Sequence, residues 1–382
     1  MKRLFFSIVM MVALGAMVLT SCNGNEPVDE PTVTESDELK GEIADVRTLN
    51  AYTTYKLTAP LIIKDGGELN IPAGTVIKAQ KGFDKYILVL QGGKINVNGT
   101  ADKPVVMTSG ESSPATEDWG GLIVNGRAPL AGEGTATTEI NSDYEYGGSN
   151  AADNSGVITY LKLEYTGARN SADVEHNGLT LNGVGSGTRI ENVYIPNGAD
   201  DGIEFFGGSV SVKNLLVVNS DDDMFDMTYG WNGTLENCYG VWQTGFASSE
   251  SDPSGVEADG NFDGNFPEHT GQSDFTIRNM TVDLNSTDLN NVLKVRRGAK
   301  ATIINALVKG SGTVKTSGAV VDMTDSKGNG NIASNISITN ALTSEPPATA
   351  TKFGDDAYQN IVVGGNNNGC DSSIFGWTGY KF

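Results

Sequence analysis

The sequence predicts an all-β protein, a right-handed, single-stranded parallel β-helix with an asparagine ladder over residues 45–382 of the 382-residue chain. Three observations predict this fold. A motif of asparagine followed by apolar residues recurs at gaps of 22 and 23 residues, and then at gaps of 42, 26 and 30. The segments between these asparagines alternate apolar and polar residues, as half-buried strands do. The 48 glycines allow a turn every few residues.

The recurring asparagine marks one turn of the solenoid, where each rung is expected to place the same residue. Strands of successive rungs lie about 4.8 Å apart, so stacked asparagine amides can hydrogen-bond to one another. Such a ladder also pairs backbone groups that the turn would otherwise leave buried and unsatisfied. The predicted ladder residues are Asn192, Asn214, Asn237, Asn279, Asn305 and Asn335.

The first 21 residues are expected to be a signal peptide. Lys2 and Arg3 precede an apolar run that ends in small residues before Cys22, which is typical of secretory signals and too short to predict a spanning helix. The letters "LTSC" at 19–22 resemble the lipobox of bacterial lipoproteins, which implies cleavage before Cys22 and lipidation of that residue. We therefore expect an exported protein that contacts the membrane through its lipid, at the outer membrane.

Residues 22–44 predict a disordered acidic tether between this lipid and the folded body. The segment is polar, contains proline and has almost no large apolar side chain, so it cannot form a core. The β-helix domain at 45–382 follows. From about residue 365 we expect a cap over the open C-terminal end, because repeat folds need their last rung covered.

Charge and cysteine content limit the partners. The formal net charge is −21, and removal of Lys2 and Arg3 with the signal peptide takes it to −23. Nucleic acid needs a basic patch, so the sequence excludes it as a partner, whereas a bound cation is compatible with this charge. The remaining cysteines, Cys238 and Cys370, are a single pair whose bonding state the sequence leaves open.

Acidic residues are concentrated in two stretches that lie one rung apart. The acids of "NGADDGIEFFGG" are Asp200, Asp201 and Glu204, and those of "NSDDDMFDMTYGWNG" are Asp221, Asp222, Asp223 and Asp226. The 22-residue offset predicts that members of the two sets stack on each other. Stacked carboxylates must be protonated, be held by N–H groups, or face a cation. We expect Arg296 and Arg297 to supply part of that positive charge.

One interpretation of these acids is a polysaccharide-degrading site. Polygalacturonase-type β-helix enzymes carry Asn-Thr-Asp, an aspartate pair one rung later, Gly-His-Gly and Arg-Ile-Lys. The chain resembles the first two motifs at Asp201 and at Asp222–Asp223, and the resemblance implies that these acids are catalytic in a hydrolase or lyase. The third motif is absent, because "YGVWQTGFASS" has no histidine, and "LKVRRG" is only a loose counterpart of the fourth. We therefore favour a non-catalytic role and keep the enzyme as the alternative.

A second interpretation is a calcium site. The stretch "GVEADGNFDGN" places oxygen-bearing side chains at alternate positions, Glu257, Asp259, Asn261 and Asp263, as at the start of a calcium loop. The glutamate that completes an EF-hand is missing, because Thr270 stands in its place. Ca²⁺ is thus the one cofactor that we expect.

Most of the chain also resembles one family. The stretches "DNSGVITYLKLEYTG", "DDGIEFFGG", "DDDMFD", "GVEADGN" and "LKVRRGAKATIINALVKG" together resemble exported, pectin-lyase-like β-helix lipoproteins of Bacteroidota-type bacteria. The resemblance implies the fold and the cell envelope, and it transfers no activity. We expect a rigid β-helix face that binds a ligand, a glycan or an outer-membrane protein, in the setting of outer-membrane nutrient uptake.

Overall fold

The computed structural model describes residues 36–132, 134–171, 174–344 and 350–382. The predicted signal peptide, Cys22 and most of the predicted tether lie outside these residues. Asp37–Phe382 is one compact unit. The tether prediction extends too far, because Glu38–Ile43 is a strand that pairs in parallel with Thr54–Ile63. Leu39 and Ile43 face inward there and are buried. The segment therefore belongs to the first rung of the solenoid.

Among the described residues, β-strands make up nearly all of the regular structure, with 24 in one parallel sheet and two in an antiparallel hairpin. The strands are β1 (Glu38–Ile43), β2 (Val46–Thr48), β3 (Thr54–Ile63), β4 (Glu68–Pro72), β5 (Val76–Ala79), β6 (Ile87–Val89), β7 (Lys94–Asn98), β8 (Val105–Ser109), β9 (Leu122–Asn125), β10 (Ala136–Thr138), β11 (Asn141–Tyr146), β12 (Gly156–Leu163), β13 (Leu179–Asn182), β14 (Arg189–Pro196), β15 (Ile203–Phe206), β16 (Ser211–Val218), β17 (Phe225–Thr228), β18 (Thr234–Trp242), β19 (Ser254–Asp259), β20 (Asp274–Leu284), β21 (Leu289–Arg296), β22 (Lys300–Gly310), β23 (Val314–Asp322), β24 (Asn335–Leu342), β25 (Thr351–Lys352) and β26 (Asn360–Val363). Two 3₁₀ helices span Phe262–Gly264 and Ser372–Thr378.

The sheet winds into three faces that repeat along its axis. The first face is built by β9, β13, β15, β17, β19, β21 and β23, which pair in that order. The longer strands β14, β16, β18, β20 and β22 each cover the other two faces. They bend at an asparagine whose φ lies between 55° and 59°. The fold is therefore the predicted parallel β-helix, with the right-handed winding that parallel connections favour.

The interior of the solenoid is filled by apolar side chains that stack from rung to rung. Inward positions of the first face carry residues such as Phe205 and Phe225, both fully buried. Aromatic rings continue this stacking, since Trp231 lies 4.1 Å from Phe205 and 5.7 Å from Phe275 between ring centroids. Each such side chain contributes roughly 1.5–3 kcal/mol on burial, so the core fixes the register in which outward residues stand.

Five of the predicted asparagines form a ladder. The amides of Asn214, Asn237, Asn279 and Asn305 each donate to Oδ1 of the asparagine one rung earlier, starting from Asn192, over 2.8–2.9 Å. The 42-residue gap between two of them is one rung that contains two insertions, at 243–253 and 260–273. The asparagines are therefore unequally spaced in the sequence and regularly stacked in the structure.

Asn335 is not part of this ladder, contrary to the prediction. The pairing of β22 with β24 shifts between Ile303 and Ala306, and Asn335 lies opposite Thr302. The strand β24 reaches the corner with one residue fewer than the earlier rungs, so it has no asparagine there. The ladder ends on the backbone instead: the N–H groups of Asn368 and Gly369 donate to Asn305 Oδ1 over 2.9 and 3.2 Å.

The segment 365–382, here called the C-terminal strap, does not cap the open end as predicted but returns along the side of the solenoid. Phe375 packs among outward apolar residues of three strands, Tyr194, Leu216, Val218, Tyr239 and Val241. Further along, Trp377 meets the ring of Tyr160 at 5.3 Å, and Lys162 Nζ donates to the Thr378 carbonyl over 2.7 Å. This side face is apolar, so covering it explains the path. Within the strap Cys370 is a free thiol, as is Cys238 in the core.

Candidate functional site

The candidate site lies on the outward side of the first face. One row of outward residues runs across its strands, and along this row the side chains change from neutral to acidic to basic. Thr180, Glu204, Asp226, Glu257 and Lys294 stand opposite one another on β13, β15, β17, β19 and β21. Successive residues of a strand alternate between the two sides of the sheet. Because Ile203 and Phe205 face the core, Glu204 between them faces outward. The structure thus has Glu204 directly beside Asp226, one rung apart.

Seven carboxylates surround one depression on this face, here called the acid depression, with a volume of about 350 Å³. Its lining is Glu139, Glu175, Asp200, Asp201, Glu204, Asp222 and Asp226. The turns before β15 and β17 contribute three of these acids, the two strands contribute Glu204 and Asp226, and Glu175 comes from the segment before β13. Glu139 comes from the turn of the β10–β11 hairpin, which therefore stands at the rim. None of the described residues in this lining is basic.

Two of the predicted acids are fixed by backbone groups of the following rung. Asp201 Oδ1 accepts from the Asp223 N–H over 2.9 Å, and Asp223 Oδ1 accepts from the Ser254 N–H over 2.6 Å. Asp201 and Asp223 are only 6% and 4% exposed. Both carboxylates therefore stabilise the turns of the solenoid, and of the two only Asp201 also lines the depression.

The acids of the depression are held away from their charged form. Burial, followed by the charges of neighbouring acids, raises the pKa of Asp200, Asp201, Glu204 and Asp226 well above the ordinary range. The same two causes raise the pKa of Asp222 to about 7. Because each proton removed leaves a further negative charge among the others, a cation that replaces the protons would be strongly favoured.

Two groups of three carboxylates bring their oxygens close enough for one ion. Oxygens of Asp200, Asp201 and Asp222 lie within 4.8 Å of one another, and so do oxygens of Asp201, Glu204 and Asp226. Two ligands on opposite sides of a calcium ion, each at roughly 2.4 Å, are separated by roughly the same distance. Asp226 Oδ1 is buried without a hydrogen-bond partner, so this oxygen is available for a ligand.

Asp221, also predicted as part of the charge network, points elsewhere. Its carboxylate accepts from the N–H and hydroxyl of Ser249, and Arg169 Nη2 lies 3.9 Å away. Arg169 also contacts Glu175 and Glu250 over 2.8 and 2.9 Å. Arg169 is thus an arginine at the edge of the depression. The sequence analysis expected Arg296 and Arg297 to supply this positive charge.

Arg296 and Arg297 make their direct contacts outside the stack at 200–226, and the charge of Arg296 opposes the rise in the pKa of Asp226 only from the neighbouring rungs. Arg296 contacts Glu257 and lies 2.7 Å from Asp259, while Arg297 Nη1 lies 2.6 Å from Asp259. The register explains this, since Arg296 stands opposite Asp259, on the rung beyond Asp226. The two arginines therefore pair with the acids of the predicted calcium loop.

The acids of this predicted calcium loop therefore form ion pairs with arginine and lysine. Asp263 contacts Arg297 over 3.1 Å and Lys327 over 2.6 Å. Asn261 Oδ1 accepts from the Phe266 N–H, and its amide donates to the Arg297 carbonyl. The predicted metal ligands Glu257, Asp259, Asn261 and Asp263 thus already have partners, and guanidinium groups stand where the prediction had the ion.

Three residues of the site were missed in the sequence, Glu139, Glu175 and Asn177. The amide of Asn177 donates to Glu204 Oε2 over 2.5 Å. A signal for it exists, because Asn177–Gly178 stands before β13 as Asp201–Gly202 stands before β15. Glu139 gave no such signal, since it belongs to an insertion that folds back onto the face.

Comparison with known proteins agrees with this architecture. The profile of one family, described as the pectate-lyase-like β-helix domain, matches residues 41–380. The chain belongs to this pectate-lyase-like β-helix family. The match includes both the acid depression and the C-terminal strap, so both lie inside the family domain. No curated protein and no solved structure matches the chain significantly.

Membership of the pectate-lyase-like β-helix family establishes the fold and leaves the chemistry to the residues, since one fold hosts many functions. In the part of the chain that the structure describes, no helix is both long enough and apolar enough to cross a membrane.

Proposed function

We propose that the protein is a lipid-anchored, non-catalytic binding protein of the cell envelope whose acid depression holds a divalent cation, Ca²⁺ in particular. The observation that carries the proposal is the convergence of seven carboxylates on one depression without a basic residue among its described lining. Hard oxygen ligands of this kind suit Ca²⁺, which accepts six to eight of them in flexible geometry. The cation would then present open coordination positions to a ligand on the rigid face.

The calcium proposal is tested by titrating the purified protein with CaCl₂ after chelation. We expect Ca²⁺ to bind and to raise the melting temperature, because a ligand that binds only the folded state stabilises it. Asp226→Asn should weaken binding roughly tenfold or more, and Asp263→Asn, in the arginine-bound loop, should leave it unchanged. The proposal fails if Ca²⁺ does not bind, or if only Asp263→Asn loses it.

The anchoring part of the proposal rests on the sequence around Cys22, which lies outside the described residues. A lipid on Cys22 would hold the solenoid at the outer membrane, where a nutrient-uptake assembly could supply a glycan or protein partner. The test is fractionation of cells that express Cys22→Ala. We expect the variant to leave the membrane fraction, and retention there would contradict the anchor.

The alternative function, a polysaccharide hydrolase or lyase, has less support. Glycoside hydrolysis needs two carboxylates that both reach the substrate, whereas Asp201 and Asp223 are buried and accept backbone N–H groups. Asp201→Asn keeps an oxygen that can accept from the Asp223 N–H, so this variant should remain folded. The hydrolase or lyase would be favoured if the wild-type protein released reducing or unsaturated ends from a polysaccharide and this variant did not.

A further inference from the structure

A second cavity opens beside the acid depression and differs from it in chemistry. This cavity, here called the aromatic groove, has a volume of about 460 Å³, within the range of ligand pockets. Its aromatic residues are Tyr146, Phe206, Tyr229, Phe262 and Phe266. Its polar rim is formed by hydroxyl and amide side chains, Thr135, Thr137, Thr138 and Asn265. Glu139 lines both cavities, so the groove and the depression are neighbours on this face.

The aromatic rings are arranged as a platform with one open edge. Phe206 and Tyr229 are buried in a cluster with Tyr146 and Leu130. On this floor Phe262 is stacked, 5.1 Å from Tyr229 with an interplanar angle of 29°, and it remains 40% exposed. The exposed part of Phe262 faces a cavity that four other aromatic residues line, as in ligand pockets built mainly from aromatic and apolar side chains. The platform is therefore suited to a flat ligand with an apolar face.

The loop that carries Phe262 and Phe266 is held rigidly by the arginine network. Arg297 links Asp259 to Asp263 on either side of Phe262, and the Phe266 N–H is bound to Asn261 Oδ1 over 2.8 Å. The residues with the spacing of a calcium loop thus position an aromatic wall. A preformed wall loses little entropy on binding, which is a property of ligand sites rather than of mobile surface loops.

We propose that the aromatic groove binds a neutral oligosaccharide, one ring of which packs its C–H face on the exposed ring of Phe262, which is supported from below by the buried Tyr229. Sugar rings combine an apolar face with peripheral hydroxyl groups, and the groove combines aromatic faces with a rim of hydroxyl and amide groups. Glu139 is the one charged residue in the described lining, so the groove itself has no basic side chain that could pair with the carboxylate of an acidic sugar. The inference rests on the proposed function, because hydroxyl groups of the next ring would extend past Glu139 to the cation.

The test is calorimetric titration of the full-length protein, with CaCl₂ present, against neutral hexasaccharides of glucose, mannose, galactose and N-acetylglucosamine. At least one should bind. Phe262→Ala should weaken it by roughly tenfold, the effect of one lost aromatic contact. Tyr52→Ala, at another exposed aromatic residue, should change affinity by less than twofold. Calcium affinity of Phe262→Ala should equal that of the wild type.

The outcomes separate this inference from the proposed function. If no neutral hexasaccharide binds, or if Phe262→Ala binds as well as the wild type, the groove is not a sugar site. Binding of hexagalacturonate alone would also overturn it, since the lining predicts a neutral ligand. If hexasaccharides bind through Phe262 with calcium chelated and no Ca²⁺ site is found, the groove stands and the cation proposal fails.

Discussion

Lowering the pH should stabilise the protein when divalent cations are absent. Burial and neighbouring acids raise the pKa of Asp222 from 3.8 to about 7. In the unfolded chain this group titrates near its ordinary value, so between the two values the folded state holds a proton that the unfolded state has released. The stabilisation is therefore complete below the unfolded pKa and is lost as the pH rises through about 7. Asp200, Asp201, Glu204 and Asp226 act in the same direction.

The size of the effect follows from the shift of Asp222 alone. A pKa change of about three units corresponds to about 4 kcal/mol between pH 4 and pH 8. Asp222 is half-buried, and water screening reduces this to roughly 2 kcal/mol. A change of 1 kcal/mol moves the melting temperature of a domain of 150–250 residues by roughly 2–4 °C, and of a larger one by less. The melting temperature should thus fall by several degrees from pH 5.5 to 8.

Thermal unfolding followed by circular dichroism, in EDTA at constant ionic strength, measures this slope. Asp222→Asn should flatten it, and Asp102→Asn, an exposed residue on a distant rung, should not. Added Ca²⁺ should also flatten it, because the cation takes the place of the protons. A melting temperature that is constant, or that rises, between pH 5.5 and 8 would refute the account of the acid depression.

Three further predictions concern the scaffold. Asn237→Ala should lower the free energy of unfolding by about 2–3 kcal/mol, measured by urea denaturation, because two ladder bonds are lost and alanine is strained at a φ of 58°; an unchanged midpoint would contradict this. Phe375→Ala should cost about 3–5 kcal/mol and expose the C-terminal strap to limited proteolysis, so a strap that stays protected would count against the packing described. Arg296→Met should destabilise by about 3–5 kcal/mol at pH 7.5, where Glu257 and Asp259 lose their counter-charge. The loss should be smaller at pH 5 in the same thermal assay, because burial raises the pKa of Glu257 to about 7 and this acid is then protonated and needs no partner; equal losses at both pH values would refute it.

The parts of the structure that the sequence predicted are those where rungs follow without insertions. The 22-residue spacing places Glu204 beside Asp226 and Asn192 beside Asn214, because a parallel β-helix keeps one register from rung to rung. The fold class followed from the same repetition. The local residue types and their 22-residue period are sufficient to predict these features.

The parts that the sequence did not predict depend on insertions and on long-range packing. The insertions at 243–253 and 260–273 hide which rung follows Asp226, and this is why Arg296 was assigned to the wrong acids. Glu139 reaches the depression only because a hairpin folds back over the face. The strap contains apolar residues that suit either the open end or the side of the solenoid, and only the apolar outward positions of β14, β16 and β18 decide between them.

The C-terminal strap also bears on how the solenoid loses its structure. Rungs that contact only their neighbours can fray one at a time from an end, so cooperativity in such proteins is limited to nearest-neighbour coupling. The strap connects Asn305, near the last rungs, with Tyr160 and Lys162, near the middle of the chain. Fraying from the C-terminal end would detach the strap from every strand that it crosses. Those rungs should therefore share one opening free energy in hydrogen exchange, whereas rungs N-terminal to β12 exchange independently.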